Sequence, residues 1–139
     1  MRWILVAAAV GLLFCIPLPR TAVPDWSVTV VDGSGLPVEG ITVRESYQDY
    51  SIESQGHEND RITDAFGETH FARVTVWYSL GRRAAGAILS TLRGGVHASF
   101  GTHASVFAFG KGEGSAVRNG YVEDWTGSPE VYASKIVAH

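Results

Sequence analysis

The sequence predicts a mainly β protein: an antiparallel β-sandwich with one short helix, preceded by an N-terminal signal or anchor helix. Three observations carry this. Several short segments alternate apolar and polar residues with period 2, the pattern of a half-buried strand. Gly, Pro and Asp gather between those segments, where the chain must turn. The 139 residues include 16 glycines and only 18% charged side chains, which suits a turn-rich β domain better than a helical bundle or a disordered chain. With 45% hydrophobic residues the length is enough for one core and not for two. The formal net charge is -3 and Arg82-Arg83 is the only adjacent basic pair. Nucleic acid is therefore not expected as a partner, because phosphate binding draws on clustered Lys and Arg.

Residues 1–22 stand apart from a domain at 23–139. Met1-Arg2 is a minimal charged start, and the 13 residues from Ile4 to Ile16 are uncharged and mainly apolar, the length of a signal-peptide core and short for a membrane span. Pro17 and Pro19 end any helix. Removal of this segment would leave a mature terminus between Ala22 and Trp26. Arg20, however, occupies a place where a cleavage site wants a small residue, so retention as an anchor is the other reading. Cys15 follows Phe14, where a lipoprotein signal wants a small residue, and reads as one more apolar member of the run. As the only cysteine it allows no intramolecular disulfide, so packing must hold the domain together. The expected location is outside the cytoplasm: periplasmic, in the cell envelope or secreted, with membrane contact only through the N-terminal segment if it is kept.

The first predicted strand, Trp26 to Val31, places Trp26, Val28 and Val30 on one face and Ser27 and Thr29 on the other. Asp32-Gly-Ser-Gly35 then turns the chain, since glycine accepts positive φ and Asp can bond its own backbone further on. Pro37 and Gly40 bracket the approach to a second strand, Ile41 to Tyr47, with Ile41, Val43 and Tyr47 on one face and Arg44 and Ser46 on the other. A long polar loop follows. Thr63-Asp-Ala-Phe-Gly67 turns into a third strand, read from about Glu68 to Trp77.

The string Val28-Thr-Val-Val-Asp-Gly-Ser-Gly-Leu-Pro-Val-Glu-Gly-Ile-Thr-Val43, with Thr63-Asp64, Gly67 and Phe71, resembles the carboxypeptidase regulatory-like domain. The resemblance covers the first half of the 23–139 domain and rests mostly on turn residues. It implies a small transthyretin-like β-sandwich acting as a non-catalytic extracytoplasmic module, structural or binding.

Beyond Trp77 the pattern changes. Ala85, Ile88, Leu89 and Leu92 fall at i, i+3, i+4 and i+7, the stripe of an amphipathic helix, and Gly94-Gly95 supplies a stop. The spacing predicts a helix over 82–93 that covers one face or edge of the sandwich, weakened by Gly86 and by two arginines at its start. Val96 to Phe100 and His103 to Phe109 read as a hairpin around Gly101-Thr102. A further short strand falls within Val117 to Trp125, and a last one runs from Val131 to Ala138 after Thr126-Gly-Ser-Pro129.

Four sets of residues bear on chemistry. His57, His70, His97 and His103 show neither His-x-His nor His-x-x-x-His spacing, so exposed or hydrogen-bonded imidazoles are expected in place of a zinc site. Glu53, Glu58, Asp60 and Asp64 crowd the long loop without the Asp-x-Asp-x-Asp-Gly order of a calcium loop, and read as solvated or turn-capping carboxylates. A Gly-x-Ser-x-Gly elbow is absent. The C-terminus, Lys135-Ile-Val-Ala-His139, lacks the Tyr-Arg-Gly-Ser ending of transthyretin-like hydrolases, and Lys111 and Lys135 come too late for a sandwich-type isopeptide bond. Catalytic residues, metals and cofactors are accordingly not expected. Tyr121, Trp125 and Tyr132, near Asn119, Glu123 and Asp124, are the candidate ligand-binding residues. Flat rings with polar neighbours suit a sugar or a peptide, although Trp125, just before a turn, also reads as a core plug. The expected function is an exported non-enzymatic binding or structural module whose partner is an envelope protein, a peptide or a glycan. The alternative is a metal-dependent or hydrolytic envelope enzyme built on two or more of His70, His97 and His103.

Overall fold

Strand β2 (Asp25–Val31) is the spine of one sheet because its alternation is satisfied in three dimensions: Trp26, Val28 and Val30 are fully buried while Ser27 is exposed. The computed structural model describes residues 2–95, 99–109, 123–128 and 131–138. Strands account for 48% of the described residues and helix for 24%, so this is a mainly β protein. On one side β2 pairs antiparallel with β5 (Glu68–Phe71), and on the other it pairs in parallel with β9 (Val131–Val137). That parallel pair departs from the antiparallel expectation. Every other pairing among the described strands is antiparallel.

A second sheet has the order β4 (His57–Ile62), β3 (Thr42–Asp49), β7 (Thr102–Phe109), β8 (Glu123–Trp125). The two sheets enclose one core. Trp26, Val28, Val30, Phe71 and Ile136 come from the first, and Val43, Ala104, Val106, Ala108 and Trp125 from the second. Trp26 also donates its indole N–H to Ser134 Oγ at 2.8 Å and meets the Tyr132 ring edge to face, 5.2 Å between centroids. A buried indole thereby keeps a hydrogen-bond partner.

The segment expected to be one strand, Glu68 to Trp77, is two. Strand β5 ends at Phe71, and β6 (Val74–Ser79) leaves for a separate two-stranded ribbon with β1 (Pro17–Val23). A mature start between Ala22 and Trp26 thus falls at the end of a strand whose last residues, Ala22 and Val23, are in the core. The long polar loop also contains a strand, the edge strand β4, all of whose residues are exposed. The proposed hairpin does not form among the described residues. Ser99 and Phe100 carry no strand, β7 pairs with β3 and β8 instead, and 96–98 lie outside the described residues.

Both Asp-x-x-Gly turns close as the sequence predicts. Asp32 Oδ1 accepts from the N–H groups of Ser34 and Leu36, and Asp64 Oδ1 from those of Phe66 and Glu68. Gly35 and Gly67 have φ of 86° and 70°. They differ in surroundings, because Gly35 faces open space whereas a side chain on Gly67 would run into the Val30 carbonyl oxygen. The two turns touch there: Val30 N–H donates to Gly67 O at 2.8 Å, and Val38 N–H donates to Val30 O at 3.0 Å.

Helix α1 (Arg2–Cys15) precedes the ribbon, and α2 (Leu80–Gly94) follows it. Ser79 caps α2, its side chain accepting from the N–H of Arg82 at 3.2 Å. The helix is where the stripe placed it, but it is turned the other way. Arg83, Gly86, Ala87 and Ser90 form its half-buried side, and Ala85, Ile88, Leu89 and Leu92 face outward. Gly86 is the reason. It sits so close to the backbone of Ser51 that a Cβ would overlap the carbonyl oxygen, and Ser90 Oγ donates to the Tyr50 carbonyl at 3.0 Å one turn on.

Candidate functional site

Strand β3 is polar on both faces at its C-terminal end, and each face builds something. Toward the core the row is Val43, Glu45, Tyr47, Asp49. Away from it the row is Arg44, Ser46, Gln48. Glu45 is only 1% exposed, with Val106 of β7 on one side and Asn59 of β4 on the other. Its Oε1 has no hydrogen-bond partner, and burial, partly offset by Arg61 and by a hydrogen bond with Asn59, raises its pKa from 4.5 to about 7. Glu45 is therefore a buried carboxylic acid that exchanges its proton near neutrality.

Asp49, also buried, accepts from the N–H of Ser51 at 3.0 Å and from the Thr102 hydroxyl at 3.4 Å. Glu53 ties the loop back to the strand. Its Oε2 accepts from the Asp49 N–H at 3.0 Å, and its Oε1 accepts from the Tyr78 hydroxyl at 3.2 Å and lies 3.3 Å from His57 Nε2. The His57 ring stacks on Tyr47, 4.9 Å between centroids. Burial, aided by neighbouring carboxylates, pushes the phenols of Tyr47 and Tyr78 up. This network joins β3, β4 and the ribbon.

On the outer face a cleft of about 270 Å³ opens between β3, β7 and the loops at their ends, lined among others by Ser46, Gln48, Tyr50, Ser99, His103 and Ser105. The Tyr50 and His103 rings meet edge to face with centroids 5.3 Å apart. Tyr50 is held by its backbone, its N–H donating to Gly101 O and its carbonyl accepting from Ser90, so its side chain is left to the cleft. His103 Nε2 lies 3.3 Å from the Phe100 carbonyl oxygen. Hydroxyls, an amide and two flat rings in one cleft suit a neutral, hydroxyl-bearing ligand.

The residues singled out in the sequence go elsewhere. Trp125 is 1% exposed in the core cluster, so it takes the core role and not the surface one; Tyr132 is half-buried against Trp26; Tyr121 lies outside the described residues. A platform of these three rings is thus not assembled among the described residues. The described histidines are dispersed. His70 pairs with Asp25 beside a cleft of about 380 Å³ on the other sheet, His57 belongs to the Glu53 network, His103 lies in the Tyr50 cleft, and His97 is outside the described residues. The acidic loop does not converge either. Arg44 binds Asp60 through both carboxylate oxygens, at 2.7 and 2.8 Å, and Glu58 at 2.7 Å, which holds the Asp60 carboxyl below its usual range, while Asp64 closes its own turn. Among the described residues, no three His, Cys, Asp or Glu side chains are grouped to hold a metal.

Comparison with models of known protein families, and with curated proteins, finds no match to this chain. The Tyr50–His103 contact joins the residue just past the end of β3 to one at the start of β7, and its sequence signal is that Tyr50 flanks the long loop.

Proposed function

We propose that this protein is an exported, non-enzymatic binding or structural module of the carboxypeptidase regulatory-like type, a transthyretin-like sandwich whose cleft at Tyr50 and His103 takes a glycan. The carrying observation is the edge-to-face ring pair in one cleft with Ser46, Gln48 and Ser105. Rings offer a sugar face area at low entropic cost, and hydroxyls and an amide give it direction. The family reading is supported by the residues that suggested it, since both Asp-x-x-Gly turns close and interlock through Val30, Val38 and Gly67. Cleavage after Ala22 would strip β6 of its partner and leave a row of open backbone groups, which favours retention of residues 1–22. Of the three histidines on which the enzymatic alternative rests, His70 and His103 lie in separate clefts and His97 is outside the described residues.

The test is titration of the full chain with soluble oligosaccharides, including peptidoglycan fragments, followed by NMR. Tyr50→Ala should weaken binding by at least about tenfold, as loss of a stacking ring does, with an unchanged melting curve. Equal binding by wild type and variant overturns the cleft assignment, and binding of peptides in place of sugars overturns the ligand class. Export is tested separately, by protease access to a C-terminal tag in spheroplasts. Protection in intact cells and spheroplasts alike overturns it.

A further inference from the structure

Both helices expose apolar side chains on the surface. Every described side chain of α1 is exposed, including Trp3, Ile4, Leu5, Leu12, Leu13 and Phe14. A helix that is apolar all round does not belong in water. It meets α2 where Phe14 approaches Gly81, and α2 turns its own apolar stripe of Ala85, Ile88, Leu89 and Leu92 outward, with Trp77 of β6 exposed nearby in sequence. Exposed apolar area on this scale marks an interaction surface.

Charge says what kind. Residues 2–23 and 74–95, which make up α1, the ribbon and α2, hold Arg2, Arg20, Arg82, Arg83 and Arg93, five of the eleven Lys and Arg residues, and none of the fourteen Asp and Glu. The chain as a whole is acidic, so this part is a basic, apolar layer on an acidic protein, with Arg2 and Arg82 exposed and Arg20 and Arg83 half-buried. Basic residues beside an apolar helical stripe are the composition of a helix lying in the headgroup region of an anionic bilayer. Among the described residues, no helix is long and apolar enough to cross a membrane. The 14 residues of α1 extend about 21 Å against a hydrocarbon core of about 30 Å, so α1 by itself reaches into the bilayer without spanning it.

We infer that α2 is a second membrane contact, lying in the interface of an anionic lipid bilayer beside α1, with Ile88, Leu89 and Leu92 entering the acyl boundary and Arg82 at headgroup level. Gly86 then has a double consequence. By letting the small side of α2 rest on Ser51, it turns the apolar stripe away from the sandwich and toward lipid. The membrane would hold the domain in one orientation and not on a loose tether.

A test uses the full chain in the Cys15→Ser background, with a nitroxide on Ile88→Cys, Leu92→Cys or, as an aqueous reference, Glu39→Cys, added to vesicles of phosphatidylcholine with or without phosphatidylglycerol. With the anionic lipid, labels at 88 and 92 should gain oxygen collisions and lose contact with an aqueous nickel complex, while the label at 39 stays aqueous. Arg82→Gln should lower affinity for the anionic vesicles by a factor of about three to five. Labels at 88 and 92 as aqueous as that at 39 would overturn the inference and leave α1 as the sole contact. Equal protection in pure phosphatidylcholine would overturn the anionic assignment. Protection without vesicles, together with a dimer in sedimentation equilibrium, would show that a second copy covers the stripe, and would overturn it as well.

Discussion

In the two facing sheets, apolar side chains go inward: Trp26, Val28, Val30, Val43, Val106 and Ile136 are fully buried, and the polar residues between them face out. In α1 and α2 the apolar side chains stay on the surface, Leu92 at 77% exposure and Trp3 at 84%. Apolar residues are present in both regions. The regions differ in what each backbone lets approach. A strand presents alternate residues to a facing sheet about 10 Å away, so its apolar face is covered as soon as the second sheet forms. Helix α2 docks through Gly86, Ala87 and Ser90 because only a residue without a side chain admits the Ser51 backbone, and the docking of the small side leaves the apolar side open.

The largest effect should come from the core. Trp125→Ala empties the space of a fully buried ring and should cost about 3 to 5 kcal/mol in a urea melt. A melt within error of wild type would put Trp125 in the same class as the helix stripe and break the contrast.

Glu45 sharpens it from another side, as a polar group inside the apolar region. Its folded pKa is raised from 4.5 to about 7, so below about pH 4.5 it is protonated in both states and carries no ionisation cost. As pH rises toward 7 the unfolded chain ionises first and stability falls; above 7 the full penalty, about 3 kcal/mol at 1.36 kcal/mol per unit, is in place. Glu45→Gln should flatten that decline and stabilise the protein by about 2 to 3 kcal/mol near pH 8, read from melts across the range. An unchanged slope would mean that the carboxyl is hydrated. The depressed carboxyls of Asp32 and Asp60 act in a lower window, losing their contribution as pH falls below about 4, and do not mask this test.

Much of the fold was legible where periodicity and turn chemistry are local. Strands β2, β3, β7 and β9, helix α2 and both Asp-x-x-Gly turns lie where the sequence put them, within a few residues. What was not legible depends on distant partners. Strand β4, His-Glu-Asn-Asp-Arg-Ile, has no apolar alternation because it is an exposed edge held by Arg44 and by backbone pairing to β3. The break between β5 and β6 reflects two partners, β2 and β1, that no local pattern encodes, and β9 runs parallel to β2 by a choice made across more than 100 residues. On the buried face of β3, period 2 from Val43 passes through Glu45 and Asp49, and that is the sequence signal for the acidic network. Nothing local brings Tyr50 to His103.

A smaller effect, and one whose sign decides, concerns Gly86. In an exposed helix Gly→Ala is stabilising by about 1 kcal/mol. Here the added Cβ runs into the Ser51 carbonyl, so Gly86→Ala should destabilise by about 1 to 3 kcal/mol and loosen the Ser90–Tyr50 bond, visible as faster amide exchange in 50–53. A stabilised variant would mean that α2 does not rest on that loop.

The smallest effect should fall on the most apolar part of α2. Leu92 is at the end of the stripe and touches too little protein to leave a cavity, so Leu92→Ser should change stability in mild detergent by no more than about 0.5 kcal/mol, the range of surface substitutions. The same change at a core leucine would cost several times as much. The comparison with Trp125→Ala therefore separates two uses of hydrophobicity in one chain. A loss of about 2 kcal/mol or more at Leu92 would show the stripe packed against protein, and the open face of α2 would then have to be covered by the domain itself. A near-zero change, with α2 still docked by the Gly86 criterion, leaves that face free for a surface outside the chain.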